Sequence, residues 1–426
     1  MSEILYTEPT ITAPAIKPET GDLPSAPVMT ELSRVYSQFQ IQENETLTLR
    51  EAKIEDVTDI QSLYREVYQG RYNLEFATNP EKLAHQIRER GEFLMVVAEA
   101  HDSRRNPIVG CLVLSFNQAE RLGKASGAVV LPEFRGSGLG CTLLKHGVRY
   151  LADEKIVDVM YATSRTINEA PSRMVEEAGF IKMGIFPNAV QVENMEHLSL
   201  DVYLTDRALE VRRKKPYIFS PYHEVYDIAR KRLGLEDANL VTEFHALKLD
   251  SALIEFDIVA DETETLERFQ ELESQNRLAN SFFPFHRPNV KMTSADGSSE
   301  VFVWFAPKHR MAAIVGYRTD RTNVHDLLDS VARSLNQYGA SYVEFLVDVY
   351  DYQLQQAAYT ARYIPSAYFP SMRLKEDGSR DDVFVLSRSF TLLDFTGTVM
   401  KGDSRAYLQA YLRRYYELYL KPILGT

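Results

Sequence analysis

Residues 129–140 read VVLPEFRGSGLG. A run of β-formers gives way to three glycines in five residues. Beyond them Leu143, Leu144, Val148 and Leu151 recur at the spacing of one helical face. The stretch is therefore expected to be a strand, a glycine turn and a helix over about 138–153. Glycines let the backbone turn without Cβ clashes, and the amide N–H groups of such a turn converge on whatever sits at the helix N-terminus. An anion suits that place. Arg135, just ahead of the turn, adds a planar cationic fork that fits a pyrophosphate better than a single carboxylate.

Spacing separates the loops that hold phosphates in this way. A Walker loop requires Gly-Lys-Ser/Thr, and none of Gly136, Gly138 or Gly140 is followed by Lys. A dinucleotide loop wants GxGxxG directly after its strand. Here Cys141 takes the third glycine position, and Pro132, Glu133, Phe134 and Arg135 intervene after Leu131. Asp158 lies near the distance at which such folds place a ribose-binding acid, so that alternative stays open, as does a plain turn joining strand to helix.

Outward from the motif the pattern alternates between strand and helix. Upstream come a strand LTLREA from Leu47, an amphipathic helix carrying Val57, Ile60, Leu63 and Tyr64, a second helix within 80–90, and a hairpin of FLMVVAEA and IVGCLVLSF. Downstream come VDVMYA, a helix over 168–178 and LSLDVYL. The order β, α, α, β, β, β, α, β, α, β implies an α/β fold with a mixed sheet covered by helices on both faces.

The run Arg135-x-x-Gly138-x-Gly140 after VVLPEF resembles the acyl-CoA pyrophosphate loop of the GNAT (GCN-related N-acetyltransferase) superfamily. NEAPSRMVEEAGF, with Asn168 and the Gly179-Phe180 pair, stands at the spacing that superfamily shows further on. The likeness covers residues 47–206. It implies an acetyl-CoA-dependent N-acetyltransferase in which a primary amine of a small molecule or peptide attacks the thioester directly. Val129, Val130 and Leu131 would present backbone groups to the pantetheine arm. Arg135, Gly136, Ser137, Gly138, Leu139 and Gly140 would hold the pyrophosphate, Asn168 would lie near the thiol end, and Ser172 is a further cofactor-binding candidate. A strand amide would polarise the thioester carbonyl.

The chain also departs from that pattern. The Tyr that many members place four residues before Gly-Phe is here Val175, and residues 124–131 (KASGAVVL) lack the usual strand carboxylate. Candidates to move protons instead are Tyr161, Glu133 and the group Glu66, Tyr68, Arg71 and Tyr72. His85 and His146 read as packing or surface residues of helices. These departures leave a second reading, a non-catalytic acyl-CoA-binding sensor or scaffold. A third is a thioester hydrolysed or decarboxylated rather than passed to an amine.

At 426 residues the chain exceeds one ordinary core of roughly 150 residues. Sliding it by 183 positions, so that Arg135 meets Arg318, aligns Leu144 with Leu327, Ala178 with Ala361, and Phe186-Pro187 with Phe369-Pro370. The expectation is a second, degenerate GNAT-like domain over 250–392, whose loop Arg318-Thr319-Asp320-Arg321-Thr322-Asn323 has lost every glycine. An extended proline-bearing arm (1–45), a linker with a helix (207–249) and a C-terminal helix (393–426) complete the expected organisation. The net charge of -12 argues against nucleic acid as a partner. Two cysteines, Cys111 and Cys141, outside any CxxC or Cys/His cluster, suggest buried thiols and no metal site. No run approaches the roughly 18 apolar residues of a membrane span, and the first residues lack an export signal. A cytoplasmic location and a homo-oligomer are the remaining expectations.

Overall fold

The computed structural model describes residues 35–42, 45–69, 75–89, 91–101, 107–191, 194–243 and 253–424. Arg71 and Tyr72 lie outside the described residues, as does the arm up to residue 34. Contacts divide the chain into two compact units, Met1–Thr163 with Ala170–Phe180, and Ser164–Glu169 with Ile181–Thr426.

The first unit carries strands β1 (Val35–Gln42), β2 (Glu45–Glu51), β3 (Phe93–Ala100), β4 (Ile108–Asn117), β5 (Leu122–Val130) and β6 (Val159–Arg165) side by side in that order. Its helices are α1 (Val57–Tyr68), α2 (Glu75–Thr78), α3 (Pro80–Arg88), α4 (Leu139–Asp153) and α5 (Ala170–Glu177). β1 to β5 are antiparallel, and α4 carries the chain across to the parallel neighbour β6. α1 buries Ile60, Leu63, Tyr64 and Tyr68, the stripe expected from the sequence, and ends where Gln69 turns left-handed at φ 52°. α3 starts on Asn79, whose side chain accepts from the N–H groups of Glu81 and Lys82. Both faces of the sheet are covered. A Cβ on Gly110 would meet Leu139 and Leu143 of α4, and one on Gly127 would meet Tyr64 of α1. That double burial explains why these strands read as continuous apolar runs.

Two expectations change here. The stretch 1–45 is not all arm, because QFQIQ alternates and pairs with β2 as strand β1. A strand also lies between the helix expected over 168–178 and LSLDVYL. Gly184 and Pro187 obscure it in the sequence, since both residues weaken a strand signal.

That strand, β7 (Ile181–Gln191), belongs to the second unit with β8 (Met195–Leu204), α6 (Asp206–Glu210), β9 (Tyr217–Phe219), α7 (His223–Leu233) and β10 (Asn239–Val241). There follow β11 (Phe256–Val259), α8 (Glu262–Ser274), β12 (Val290–Ser294), β13 (Ser299–Ala306), β14 (Met311–Thr319), α9 (Val324–Tyr338), β15 (Tyr342–Asp348), α10 (Tyr352–Thr360), β16 (Ile364–Leu374), β17 (Arg380–Ser389), α11 (Asp403–Tyr415) and α12 (Lys421–Leu424). The strand order of this unit is β8-β7-β16-β17-β15-β14-β13-β12-β11, with β9 and β10 as a separate parallel ribbon. The units therefore do not divide at residue 206. β7 and β8 pair with each other, and Gly184 of β7 bridges Ala367 of β16, which ties them to the later strands.

From β11 to β17 the order of strands and helices matches that from β2 to β8, counting α8 for the helices after β2. β5 and β14 are nine residues each and lie 189 positions apart, while β7 and β16 are eleven each and 183 apart. In α4 the buried Leu143, Leu144, Gly147, Val148 and Leu151 correspond to the buried Leu327, Leu328, Val331, Ala332 and Leu335 of α9, each 184 positions on. The spacing of 183 thus holds for β7 and β16 and not for β5 and β14 or for α4 and α9. Arg318 lies inside β14 opposite Glu300, not at the place of Arg135, and only residues 320–323 join β14 to α9, where residues 131–138 join β5 to α4.

The second unit also contains a reciprocal exchange. Asn188 in β7 and Ser371 in β16, 183 positions apart, are both left-handed, with φ of 54° and 53°. The Asn188 N–H donates to His197 Nδ1 at 3.0 Å, and the Ser371 N–H donates to Asp382 Oδ1 at 2.7 Å. His197 Nε2 then bonds the carbonyl of Asp394, beyond β17, at 2.7 Å, whereas Asp382 accepts from Arg212, beyond β8, at 2.7 Å. Each trailing segment docks on the strand pair that it does not follow. α11 buries Tyr407, Ala410 and Tyr411 and packs on β7 and β16, so this helix closes a core of the second unit.

Candidate active site

Pairing between β5 and β6 stops at Ala125–Ala162, yet β5 runs on to Val130. A bulge lies in the same stretch. Cys111 faces Val129 and Val113 faces Ser126, so Gly127 (φ 63°) and Ala128 are accommodated opposite a single step of β4. The Leu131 N–H donates to the Val109 carbonyl at 2.9 Å, which directs the main-chain groups of Val129 and Leu131 toward β4. Those of Ala128 and Val130 are left pointing the other way, where β5 has lost its parallel neighbour.

A cleft of about 240 Å³ opens there. Its floor is Ala128, Val129 and Val130, and its end is the turn from Arg135 to Gly140. Gly136 and Gly138 have φ of 79° and 83°, and neither would bring an added Cβ within 4 Å of anything, so the concavity in front of them is open. Gly138 caps α4 without any side-chain hydrogen bond, and the first turn of α4 holds no acidic residue. The helix end therefore presents an unopposed positive pole. Gly140 serves another purpose, because a Cβ there would stand 3.0 Å from the sulfur of Met174, letting α5 close on α4. Arg135 and Arg173 line the cleft as cations, and Arg135 Nε reaches the Val130 carbonyl at 3.3 Å. This donor set fits a diphosphate with an extended amide-bearing arm.

The expected residues divide. Val129, Val130, Arg135, Gly136, Gly138, Leu139 and Gly140 line the cleft; Leu131, Ser137, Asn168 and Ser172 do not. Leu131 is buried under β4. Ser137 accepts from the Leu139 N–H at 3.3 Å and so shapes the turn, and the Ser172 hydroxyl donates to Glu176 at 2.9 Å. Glu133 is exposed in the short turn Pro132–Phe134, and Tyr161 is buried with the Lys124 ammonium 5.7 Å from its ring. Neither lines the cleft, nor does exposed Glu66. Tyr68 does, with its hydroxyl 3.4 Å from the Ala128 carbonyl.

Sequence reasoning passed over Ala128, Arg173 and Met174 as cleft residues. The bulge signal at Gly127 would have shifted attention from Val129 to Ala128, and Arg173 lies one turn after the start of α5. Both cysteines are buried and free; burial pushes the Cys111 thiol up to about 12 and raises that of Cys141 as well, so neither is poised as a nucleophile. His85 and His146 lie away from the cleft. No group of three or more His, Cys, Asp or Glu able to hold a metal occurs among the described residues. No described helix is long and apolar enough to cross a membrane.

The first unit is thus an α/β domain whose parallel strand pair splays beside a glycine-rich helix N-terminus. Residues 57–180 match the model of the acetyltransferase (GNAT) family. This part of the chain is thus a GNAT-type acetyltransferase domain. Similar solved structures include a spermidine N-acetyltransferase from Vibrio cholerae in complex with CoA and spermine (20% identity over 37% of this chain and 95% of that one, TM-score 0.32). Others are a ribosomal-protein-S5-alanine acetyltransferase from Vibrio fischeri (15%, 40% and 97%, TM-score 0.34) and a GNAT-family acetyltransferase from Streptococcus pneumoniae (19%, 37% and 98%, TM-score 0.32). No curated protein matches the chain.

Proposed function

We propose that the first unit transfers the acetyl group of acetyl-CoA to a primary amine of a small molecule or peptide, by direct attack in a ternary complex. The observation that carries this reading is the cleft running from the edge of β5 at Ala128–Val130 to the glycine-capped N-terminus of α4. The amides after Gly136 and the fork of Arg135 hold the pyrophosphate, with Arg173 beside them. The main-chain groups of Ala128 and Val130 take the extended arm, and an N–H on this edge polarises the thioester carbonyl. Asn168 and Ser172 keep a role only if the co-substrate extends beyond the cleft toward them. The co-substrate supplies an activated acyl carbon. The amine nitrogen bonds to it as the carbon–sulfur bond breaks, and a proton lost by the amine ends on the departing sulfur. Tyr68 is the proton donor best placed for that step; Tyr161 and Glu133 would have to act through water. The comparison proteins include enzymes for a polyamine and for a ribosomal protein, and either acceptor class suits an amine substrate.

The last part of the reading is that 250–392 is a degenerate copy of the first domain. The matched strand lengths and the matched buried face of α9 support it. One observation favours a rival, an acyl-CoA-binding sensor. Among the cleft residues the sole carboxylate is Glu177, and there is no histidine. Titration with acetyl-CoA followed by an amine panel separates the two. Free thiol released only when an amine is present establishes transfer, binding without release establishes the sensor, and absence of binding removes both.

A further inference from the structure

The second unit has its own splayed strands. Pairing between β14 and β15 stops at Ile314–Phe345, although β14 continues to Thr319 and β15 to Asp348. By the spacing of β5 to β14, Tyr317 stands where Ala128 stands in the first unit. By the spacing of β6 to β15, Leu346 stands where Thr163 does. In the first unit that position borders the cleft. In the second it is filled.

The occupant is the chain itself. The Ala279 N–H donates to the Tyr317 carbonyl at 2.7 Å, and the Tyr317 N–H donates to the Ala279 carbonyl at 3.1 Å, a two-bond antiparallel bridge. Asn280 reaches to the other side of the gap, its Nδ2 donating to the Leu346 carbonyl at 2.7 Å. The main chain of Ser281 lies so close to β14 that a Cβ on Gly316 would come 3.2 Å from its Cα, a tight approach that the glycine leaves free. Three non-glycine residues around the segment, Asn276, Asn280 and Phe285, have φ of 53°, 51° and 69°, a cost in backbone energy that the docked contacts hold in place.

We infer that the gap between β14 and β15 is a slot for an extended, amide-bearing ligand, and that its permanent ligand is the chain's own segment Ala279–Ser281. This rests on the proposal that the second half repeats the first. The segment offers the edge of β14 one donor and one acceptor and offers β15 a donor. The second unit is thus sealed against acyl-CoA by occupancy of its slot, independently of the shortened turn at 320–323. Rebuilding a glycine turn there would not restore binding.

Hydrogen exchange on the full chain tests this, read at single amides with and without saturating acetyl-CoA. The expected result is strong protection of the Tyr317 and Ala279 amides, unchanged by acetyl-CoA, together with new protection at Gly136–Gly140. In Asn280→Ala the Tyr317 and Ala279 amides should exchange at least 10-fold faster, with the amides of β13 and β15 unaffected. Loop-like exchange at Tyr317 in the unliganded chain, or a change there on adding acetyl-CoA, overturns the inference. Two acetyl-CoA molecules bound per chain would do the same. Failure of Gly136–Gly140 to respond would count against the proposed transferase, leaving protection at Tyr317 to be judged separately.

Discussion

Gly184 of β7 faces Ala367 of β16 so closely that a methyl on Gly184 would overlap the Ala367 side chain and lie 2.8 Å from the Ser366 carbonyl. The two residues are 183 positions apart, the spacing that also separates β7 from β16. Among the described residues this pair is the one point at which β7 and β16 share a register, so the junction leaves no room for a side chain at position 184. Gly184→Val should cost roughly 1–3 kcal/mol or more through overpacking. A denaturant titration of the full chain checks this, and an unchanged midpoint would mean that the junction is looser than described.

The turn at the end of the cleft makes a contrasting pair of variants. Gly138→Asp places a side chain on a left-handed residue and a negative charge beside the helix N-terminus. Affinity for acetyl-CoA should fall at least 10-fold, or about 1.4 kcal/mol. Arg321→Asp breaks an ion pair with Asp296 in the second unit and should leave that affinity within about twofold, in keeping with the median worth of exposed pairs. Calorimetric titration of both proteins decides.

Tyr68 and Tyr161 are distinguished by position. Tyr68 lines the cleft and Tyr161 does not. If Tyr68 donates the proton to sulfur, Tyr68→Phe should lower kcat by roughly 10²-fold, the low end for general acid catalysis, with little change in the KM for acetyl-CoA. Tyr161→Phe should leave kcat within about threefold. Equal losses in both variants would show that the effect is one of packing.

Asp381 gives the second unit a pH dependence. Burial and the neighbouring Asp348 raise its carboxyl to about 6, against the pull of Arg213 at 3.1 Å. The unfolded value is about 3.9, so ionisation opposes folding. The contribution of this group is complete below about pH 4 and is lost as pH rises through about 6, with a slope of at most about 1.4 kcal/mol per pH unit. Asp381→Asn should flatten that part of the stability profile. Denaturation midpoints at pH 4.5, 5.5 and 7 show whether the slope disappears.

Much of the first unit is legible in its residues because local signals agree there. The stripe of α1, the cap at Asn79 and the RGSGLG turn each act within a few positions. Ala128 is not legible in the same way. Its exposure to the cleft follows from a bulge at Gly127, which reverses the alternation of β5 and depends on the partner strand β4. β7 and β16 hide behind Gly184, Pro187, Pro365 and Pro370, residues that local propensity sets against a strand and that the junction tolerates. The slip between 183, 184 and 189 positions reflects a turn that is shorter in the second half. An ungapped alignment that matches Arg135 with Arg318 cannot absorb it. Asn280 carries no local sign at all, since its partner Leu346 is distant in the chain.

The reciprocal docking of Arg212 on Asp382 and of Asp394 on His197 has a consequence for biosynthesis. A ribosome that has finished residues 1–206 has made every element of the first unit, together with β7 and β8, but β7 still lacks β16 and Asn188 still lacks the segment near Asp394. That edge of β7 is covered only after β16 has been made, so a message truncated before residue 364 would release a product in which β7 pairs with β8 but has its other edge open. Such a product is a candidate for chaperone retention and for edge-to-edge self-association.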